Sequence, residues 1–316
     1  MGAVTIGRNE GARLVACLAA LQDKVDHIVY VDSGSTDDSI AAARAVGAHV
    51  VELDTSVPFT AARARNAGLA ALQDKLPGVT HVQFLDGDCV LQPGWIEAAR
   101  AFLLDHTQVA VVCGRRREKF PENSLYNQLI DAEWDTAPGQ AKSCGGDALM
   151  RIDALDQVGG YRDDLIAGEE PELCVRLRAA GWQVWRLEAE MTLHDADLTR
   201  FGQWWRRAQR GGHAYAEGAA LHGQPPERHK VRETRSALLW GLALPGLILL
   251  ATLLLSPWAL ALLLAYPLQI LLLRGKGMDK NQAIFTLLAK LPEAQGALHY
   301  WVKRLRGRQS TLIEYK

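Results

Sequence analysis

The stretch His81-Val82-Gln83-Phe84-Leu85-Asp86-Gly87-Asp88 joins a mainly apolar run to two carboxylates separated by one glycine. The run reads as a buried strand, and the polar triplet as the point where the chain leaves the sheet. Side chains at i and i+2 of an extended segment point the same way, so Asp86 and Asp88 can reach one hard cation. Mg²⁺ and Mn²⁺ prefer such oxygen ligands and commonly share them with substrate phosphates, while Gly87 lets a diphosphate or an ion approach the backbone. Asp-Gly-Asp is also ordinary turn chemistry, so the triplet takes its meaning from its neighbours.

On either side, short apolar runs alternate with longer segments of helical period: Val4–Ile6 and Gly11–Leu21, His27–Val31 and Asp37–Val46, His49–Leu53 and Thr60–Leu72, His81–Leu85 and Trp95–Asp105. This alternation predicts an α/β fold whose mainly parallel sheet is covered by helices on both faces. Ligands of such sheets gather where strands end. Arg8-Asn9-Glu10, Asp32-Ser33-Gly34-Ser35-Thr36-Asp37 and Asp86-Gly87-Asp88 then share one edge. Gly34 permits a tight turn, and Ser35 or Thr36 is placed to cap a helix whose first turn carries Asp37 and Asp38. That junction accounts for Ser33 to Asp38 and leaves Asp32 as an acceptor for a base imide or ribose hydroxyl.

The chain has 316 residues, enough for one large domain with an appendage, and its formal net charge of −1 gives no support to polyanion binding, so no nucleic-acid partner is expected. Cys17, Cys89, Cys113, Cys144 and Cys174 are scattered and odd in number, which argues against a disulfide framework and for a reducing compartment. The first residues lack a basic region and a long apolar core, so no secretory signal is expected there.

Thr5-Ile6-Gly7-Arg8-Asn9-Glu10, Val31-Asp32-Ser33-Gly34-Ser35-Thr36-Asp37, Ala64-Arg65-Asn66-Ala67-Gly68 and Leu85-Asp86-Gly87-Asp88 follow one another in the order seen in family 2 glycosyltransferases of the GT-A fold. The resemblance continues through Gly145-Gly146-Asp147-Ala148-Leu149-Met150-Arg151, Val158-Gly159-Gly160-Tyr161, Gly168-Glu169-Glu170-Pro171-Glu172-Leu173 and Arg176–Trp182, and covers about residues 3–210. It implies inverting transfer of a sugar from a nucleoside diphosphate donor, usually a UDP-sugar, with a divalent metal, Mg²⁺ or Mn²⁺, on the Asp-x-Asp. Asn9, Glu10, Asp32, Ser35, Arg65, Asp86 and Gly87 would surround the nucleotide sugar, and Asp88 with Asp86 the metal. His194, after Met191-Thr192-Leu193, is either a third metal or phosphate contact or a structural histidine.

Glycosyl transfer needs a base for the acceptor hydroxyl and an electrophile for the departing diphosphate, and a metal serves the second purpose. Glu169-Glu170 can supply the base, because adjacent carboxylates near apolar surface repel and raise one pKa. The family has Glu-Asp here; aligning Glu172-Leu173 with its acidic-Leu pair places the base on Glu170, one methylene longer. The same glutamates also simply favour a helix N-terminus. Gly146 and Asp147, with Gln203, Trp204 and Arg206, are expected on the acceptor and diphosphate side. Gln203-Trp204-Trp205-Arg206-Arg207 departs from the Gln-x-x-Arg-Trp of processive relatives at Arg207, which favours addition of one sugar. Trp204 and Trp205 suit a sugar ring or a membrane interface alike. Arg115-Arg116-Arg117 reads either as a diphosphate or lipid-headgroup site or as a solvated charge run, and Trp134 and Asp135 fall where a sugar or acceptor pocket is expected.

Composition changes after Arg235. Ala237–Leu255 and Trp258–Leu273 carry no charge and flank Ser256-Pro257, which predicts two membrane segments or a re-entrant hairpin, with a buried soluble hairpin as the alternative. Basic residues at both ends (Arg228, Lys230, Arg232 and Arg235; Arg274, Lys276 and Lys280) place both ends in the cytoplasm. Ile284–Leu291 and Leu298–Arg308 read as interfacial helices on an anionic leaflet. The expected organisation is a GT-A domain at 1–225, divided into a nucleotide-sugar half at 1–110 and an acceptor half at 111–225, followed by a membrane region at 226–316. The function expected is a cytoplasmic-membrane enzyme acting on its cytoplasmic face, on a lipid-linked or glycan hydroxyl in envelope or exopolysaccharide assembly. A glycolipid synthase on a simple lipid and an inactive nucleotide-sugar-binding scaffold subunit are the alternatives.

Overall fold

A computed structural model describes residues 1–307, 313 and 314, and the chain divides into two compact units, Met1–Asp197 and Leu198–Lys316. The division falls earlier than the sequence suggests. The helix expected to close the first domain, α8 (Phe201–His222), belongs to the second unit.

The first unit follows the predicted alternation: β1 (Gly2–Gly7), α1 (Ala12–Leu21), β2 (His27–Asp32), α2 (Ser39–Ala45), β3 (His49–Glu52), α3 (Ala61–Lys75), β4 (His81–Asp86), β5 (Cys89–Leu91), α4 (Trp95–Asp105) and β6 (Val109–Glu118). Next come α5 (Leu125–Trp134), β7 (Gly139–Ala141), β8 (Ala148–Arg151), α6 (Ile152–Val158), α7 (Glu169–Ala179) and β9 (Gln183–His194). The nine strands form one sheet in the order β3-β2-β1-β4-β8-β6-β9-β5, with β7 on β9. β3, β2, β1 and β4 are parallel, and their register aligns Gly7 with Asp32 and Ile6 with Asp86. Both aspartates therefore emerge at one edge, within one residue of the same level.

One antiparallel strand decides what else arrives there. β8 runs against both β4 and β6, pairing Ala148 with Phe84. A strand antiparallel to β4 begins where β4 ends, so Gly146 and Asp147 are delivered to Asp86. β5 pairs antiparallel with β9 and sets Cys89 opposite His194, which brings the end of β9 to Asp88. β6 lies parallel to β9 with Arg116 beside Thr192, and thus ends at the same edge.

The expected cap on α2 is not the one formed. Asp38 holds the N-cap position without a side-chain bond, and Asp37 Oδ1 accepts from the Ser39 N–H instead. Ser35 and Thr36 are drawn to Asn9: the Asn9 N–H donates to Ser35 Oγ at 2.9 Å, and the Thr36 N–H to Asn9 Oδ1 at 2.7 Å. The turn is tied to β1 rather than to its own helix.

The second unit packs α8 against the helix Lys290–Leu305 through glycines: a Cβ on Gly296 would lie 1.9 Å from the Gln209 carbonyl oxygen, and one on Gly212 2.0 Å from that of Glu293. Ala297 and Tyr300 are buried with Ala216 of α8, and Ala294 meets Gly241. The helix expected to lie on a leaflet therefore has one face packed within the unit, while Leu298, Trp301, Val302 and Leu305 remain exposed. Arg308, the last of the predicted basic residues, lies outside the described residues. Val231–Leu254 and Pro257–Gly275, of 24 and 19 residues, are long and apolar enough to cross a membrane. Leu253, Leu254, Leu255 and Trp258 are 71–86% exposed.

α3 lies close on the sheet because Gly68 faces it. A Cβ there would stand 2.3 Å from Val4 Cγ1 and 2.9 Å from Val31 Cγ2, and both valines are fully buried. Gly68→Ala gains about 1 kcal/mol of helix propensity, but overpacking a stiff, buried β-branched contact typically costs about 1–3 kcal/mol. The expected outcome is a lower thermal midpoint for Gly68→Ala that Val4→Ala added to it partly recovers; a raised midpoint in the single variant would mean that α3 is free to move off the sheet.

Candidate active site

The centre of the site is a buried guanidinium. Arg65, on the sheet-facing side of α3 and 2% exposed, donates to Asp86 Oδ1 at 2.9 Å and to Glu169 Oε1 at 2.9 Å, and lies 3.1 Å from Glu170 Oε1. Its fork joins the end of β4 to the start of α7. The ring of Tyr161 lies 5.6 Å from the guanidinium carbon, and that tyrosine is held by Asn66, which accepts from the Tyr161 N–H at 2.9 Å and donates to its carbonyl at 2.8 Å. Neighbouring residues of one motif, Arg65 and Asn66, thus fix the carboxylates and the aromatic wall beside them.

A second arginine completes the grip on Asp86. Arg116 Nη2 donates to Asp86 Oδ2 at 2.9 Å, while its Nε lies 3.2 Å from Asp147 Oδ2 and its guanidinium carbon 5.0 Å from the Trp134 ring. Asp147 is fully buried; its Oδ1 accepts the Asp86 N–H at 3.1 Å and its Oδ2 the Thr192 hydroxyl at 2.8 Å. Fully buried, it supports Asp86 and is not at the surface that its expected place on the acceptor and diphosphate side requires. Gly146 must lack a side chain, because a Cβ there would be 2.6 Å from Arg65 Nη2 and 2.8 Å from Asp86 Oδ2. Gly87 is likewise required by β1: its N–H donates to the Ile6 carbonyl at 2.8 Å, and a Cβ would crowd Ile6 and Glu10.

Two carboxylates on this one guanidinium titrate in opposite directions. Burial pushes Asp86 up, but Arg65 and then Arg116 outweigh it and hold the carboxyl below the usual carboxylate range. Glu170 is pushed up to about 7 by burial and next by the Glu169 carboxylate, against the opposing pull of Arg65. Its side chain keeps 14% exposure, while that of Glu169 has 5%. Of the two, Glu170 is the one a substrate can reach.

Asp88 and His194 form the other pole. Asp88 Oδ2 lies 3.1 Å from His194 Nε2, and the Asp195 N–H donates to the Asp88 carbonyl at 3.1 Å. The Trp134 ring stands 4.9 Å from the imidazole. Asp88, His194 and Cys89 offer ligand atoms within 4.8 Å of one another. The Cys89 thiol is pushed well up by burial and receives Arg116 Nη2 at 3.1 Å, so it stays protonated and the usable donors are a carboxylate and an imidazole. That set fits a divalent cation of borderline hardness such as Mn²⁺, and Mg²⁺ less well.

At the ends of β1 and β2, Asp32 is 1% exposed. Its Oδ1 accepts the Tyr30 hydroxyl at 2.9 Å, and its Oδ2 the N–H groups of Gly34 and Ser35 at 2.9 and 2.8 Å. Asp32 therefore builds the turn that the sequence assigned to its neighbours. Glu10 is 2.8 Å from Arg13. Gln203, Trp204 and Arg206 lie on α8 in the second unit: Gln203 Oε1 accepts the N–H groups of Thr199 and Arg200 at its start, Trp204 packs edge-on against Phe285 at 5.0 Å, and Arg206 is exposed. Arg116 is the site residue the sequence left inside a charge run. β6 continues through that run to Glu118, and alternate residues of a strand face opposite sides.

Residues 3–156 match the model of Glycosyl transferase family 2. Succinoglycan biosynthesis protein ExoA of Rhizobium meliloti is 26% identical over 189 residues, 56% of this chain and 57% of that protein. Pre-mycofactocin glycosyltransferase of Mycobacterium tuberculosis is 30% identical over 223 residues, 64% of this chain and 43% of that protein. The chain spans about half the length of these curated relatives. Among solved structures, the mannosyltransferase PcManGT from Pyrobaculum calidifontis, in complex with GDP-Man and Mn²⁺, aligns over 98% of this chain and 87% of its own with a TM-score of 0.65 at 20% identity. Glucosyl-3-phosphoglycerate synthase from Mycobacterium tuberculosis, with Mn²⁺, UDP and phosphoglyceric acid, aligns over 71% of this chain and 78% of its own with a TM-score of 0.52 at 21% identity. The segment at residues 3–156 belongs to glycosyl transferase family 2, and the sheet that carries it has the GT-A fold.

Proposed function

We propose that this chain is a metal-dependent inverting glycosyltransferase that moves one sugar from a nucleoside diphosphate donor, a UDP-sugar in preference to a GDP-sugar, to a hydroxyl of a lipid-linked or glycan acceptor. The observation that carries this reading is the pairing of a reachable carboxylate raised to about 7, Glu170, with a carboxylate–imidazole pair, Asp88 and His194, on one sheet edge. Glu170 takes the proton of the acceptor hydroxyl as its oxygen bonds to the anomeric carbon; the bond from that carbon to the diphosphate breaks, and the nucleoside diphosphate leaves. Asp88 and His194 hold the divalent cation, with Asp86 beside them. When bound, the cation supplies Lewis-acid charge for the departing diphosphate. Arg65 keeps Asp86 ionised and fixes Glu170, and the Asn9–Ser35–Asp32 turn offers the nucleoside a rigid edge.

Val231–Leu254 and Pro257–Gly275 seat in the cytoplasmic membrane, because their exposed leucines have no other favourable solvent. The basic residues flanking them put the catalytic unit on the cytoplasmic face. An enzyme so attached meets a lipid-borne acceptor in two dimensions, which supports a role in envelope or exopolysaccharide assembly.

Two measurements test this reading. Release of nucleoside diphosphate from a panel of UDP- and GDP-sugars by the detergent-solubilised chain is expected to require Mn²⁺ or Mg²⁺, to stop in excess EDTA and to be abolished in Asp88→Ala; undiminished turnover in chelator would overturn the metal assignment. The acid limb of kcat/KM for the acceptor is expected to rise through about pH 7, because Glu170 works only after losing its proton. Glu170→Gln is expected to lose roughly 10²–10⁴-fold in transfer and to keep donor affinity. If Glu169→Gln is the inactive variant and Glu170→Gln retains the pH limb, the base is misassigned.

A further inference from the structure

Two buried thiols face each other directly behind the carboxylate centre. Cys144 Sγ and Cys174 Sγ are 3.7 Å apart, at hydrogen-bonding distance, and the two residues are 8% and 0% exposed. The other three thiols are directed elsewhere: Cys17 to the Asp86 carbonyl at 3.6 Å, Cys89 to Arg116 at 3.1 Å and Cys113 to the Trp185 carbonyl at 3.7 Å. The positions of the pair matter. Cys174 stands four residues after Glu170 on α7, on the same helix face one turn along. Cys144 stands two residues before Gly146, where any Cβ would meet Arg65 and Asp86. A link between the two sulfurs would tie the segment behind Asp86 to the helix that carries both glutamates.

We propose that Cys144 and Cys174 form a redox-modifiable dithiol that hydroperoxides convert to a disulfide, and that this bond slows the chemistry at Glu170 and Asp86. A hydroperoxide transfers one oxygen to one thiol, giving a sulfenic acid and, from hydrogen peroxide, one water. The second thiol then attacks the sulfenic sulfur, the S–S bond forms and a second water leaves. Two thiols are oxidised by two electrons, and the peroxide O–O bond is reduced. The hydrogen bond from Cys144 lowers the Cys174 pKa, which favours the nucleophilic thiolate. Bond formation closes the sulfurs from 3.7 Å to about 2.05 Å, and whatever part of that closure side-chain rotation does not absorb draws α7 and the Gly146 segment together, where a ~1 Å displacement costs a transfer reaction on the order of 10²-fold. In a reducing compartment such a bond is transient, as a sensor requires.

The effect on turnover rests on the proposed function; the bond itself does not. The full chain in detergent is treated with hydrogen peroxide, its free thiols are blocked, and it is digested without reductant. A linked Cys144–Cys174 peptide, lighter by two hydrogens, is expected. Metal-dependent release of nucleoside diphosphate is expected to fall at least tenfold and to return with dithiothreitol. Cys144→Ser, and Cys144→Ala should the serine misfold, are expected to lack the link and to keep peroxide-resistant turnover. Both thiols remaining open to alkylation after peroxide would overturn the proposal, and a fully linked chain with unchanged turnover would overturn its effect on the site. A reduced chain without turnover would count against the glycosyltransferase reading, while the peptide map would still decide the dithiol.

Discussion

The arrangement depends on one buried cation. Arg65 is the only positive group that touches both halves of the edge among the described contacts, Asp86 on β4 and Glu169 with Glu170 on α7. Three carboxylates this close repel one another strongly in a medium of low effective dielectric. Taking away one member of such a buried set leaves charge uncompensated, at a typical cost of about 3–5 kcal/mol. A lysine would preserve the charge and lose the fork, since an ammonium cannot direct two planar donors at two partners 2.9 Å away. The small residues around it follow from the same need. Gly146 leaves room for the guanidinium and for Asp86, and Gly68, one turn further along α3, lets that helix lie close enough for Arg65 to reach the end of β4.

Topology supplies the rest. Parallel strands bring Asp32 and Asp86 to one edge, opposite consecutive residues of β1, but a purely parallel sheet would bring only strand ends. Inserting β8 in the opposite direction adds a strand beginning, Gly146-Asp147, and the β5–β9 pairing turns the chain so that His194 meets Asp88. Three kinds of chain segment thereby converge on a few ångströms: ends of parallel strands, the start of an antiparallel one and the N-terminus of α7.

Much of this was legible in the sequence. The first four apolar runs became β1 to β4 within one or two residues, because parallel strands buried on both faces read as nearly continuous apolar segments. Asp86 and Asp88 stood out as carboxylates at a strand end, and Glu170 through its adjacency to Glu169 and the family resemblance around Glu172-Leu173. The supporting residues were harder to read. Arg116 was hidden inside Arg115-Arg116-Arg117, where only strand continuation past Gly114 separates a site arginine from the 47%-exposed side chain of Arg117. Asp147 resembles a ligand and is a prop, since burial depends on the pairing of β8, a long-range fact that local sequence does not contain. The helix Lys290–Leu305 was read as amphipathic and lipid-facing, and one of its faces packs on α8 through Gly212 and Gly296, a contact between residues some eighty positions apart.

The opposite titration of Asp86 and Glu170 follows from what each has besides Arg65. Asp86 has a second cation, Arg116, and Glu170 has a second anion, Glu169. Shared contact with one guanidinium would otherwise lower both. The consequence for stability has opposite signs as well. Asp86, depressed in the folded state, contributes stability above its ordinary carboxylate range that is lost as pH falls. Glu170, raised to about 7 from an ordinary 4.5, binds its proton more tightly folded than unfolded, so its contribution is present below the ordinary value and fades as pH rises to about 7. The fold therefore gives up stability in the range where Glu170 loses its proton. An acidic group held neutral beside one held ionised is the separation that acid–base chemistry on a single edge requires, and here it is produced by which neighbour each carboxylate has in addition to the arginine they share.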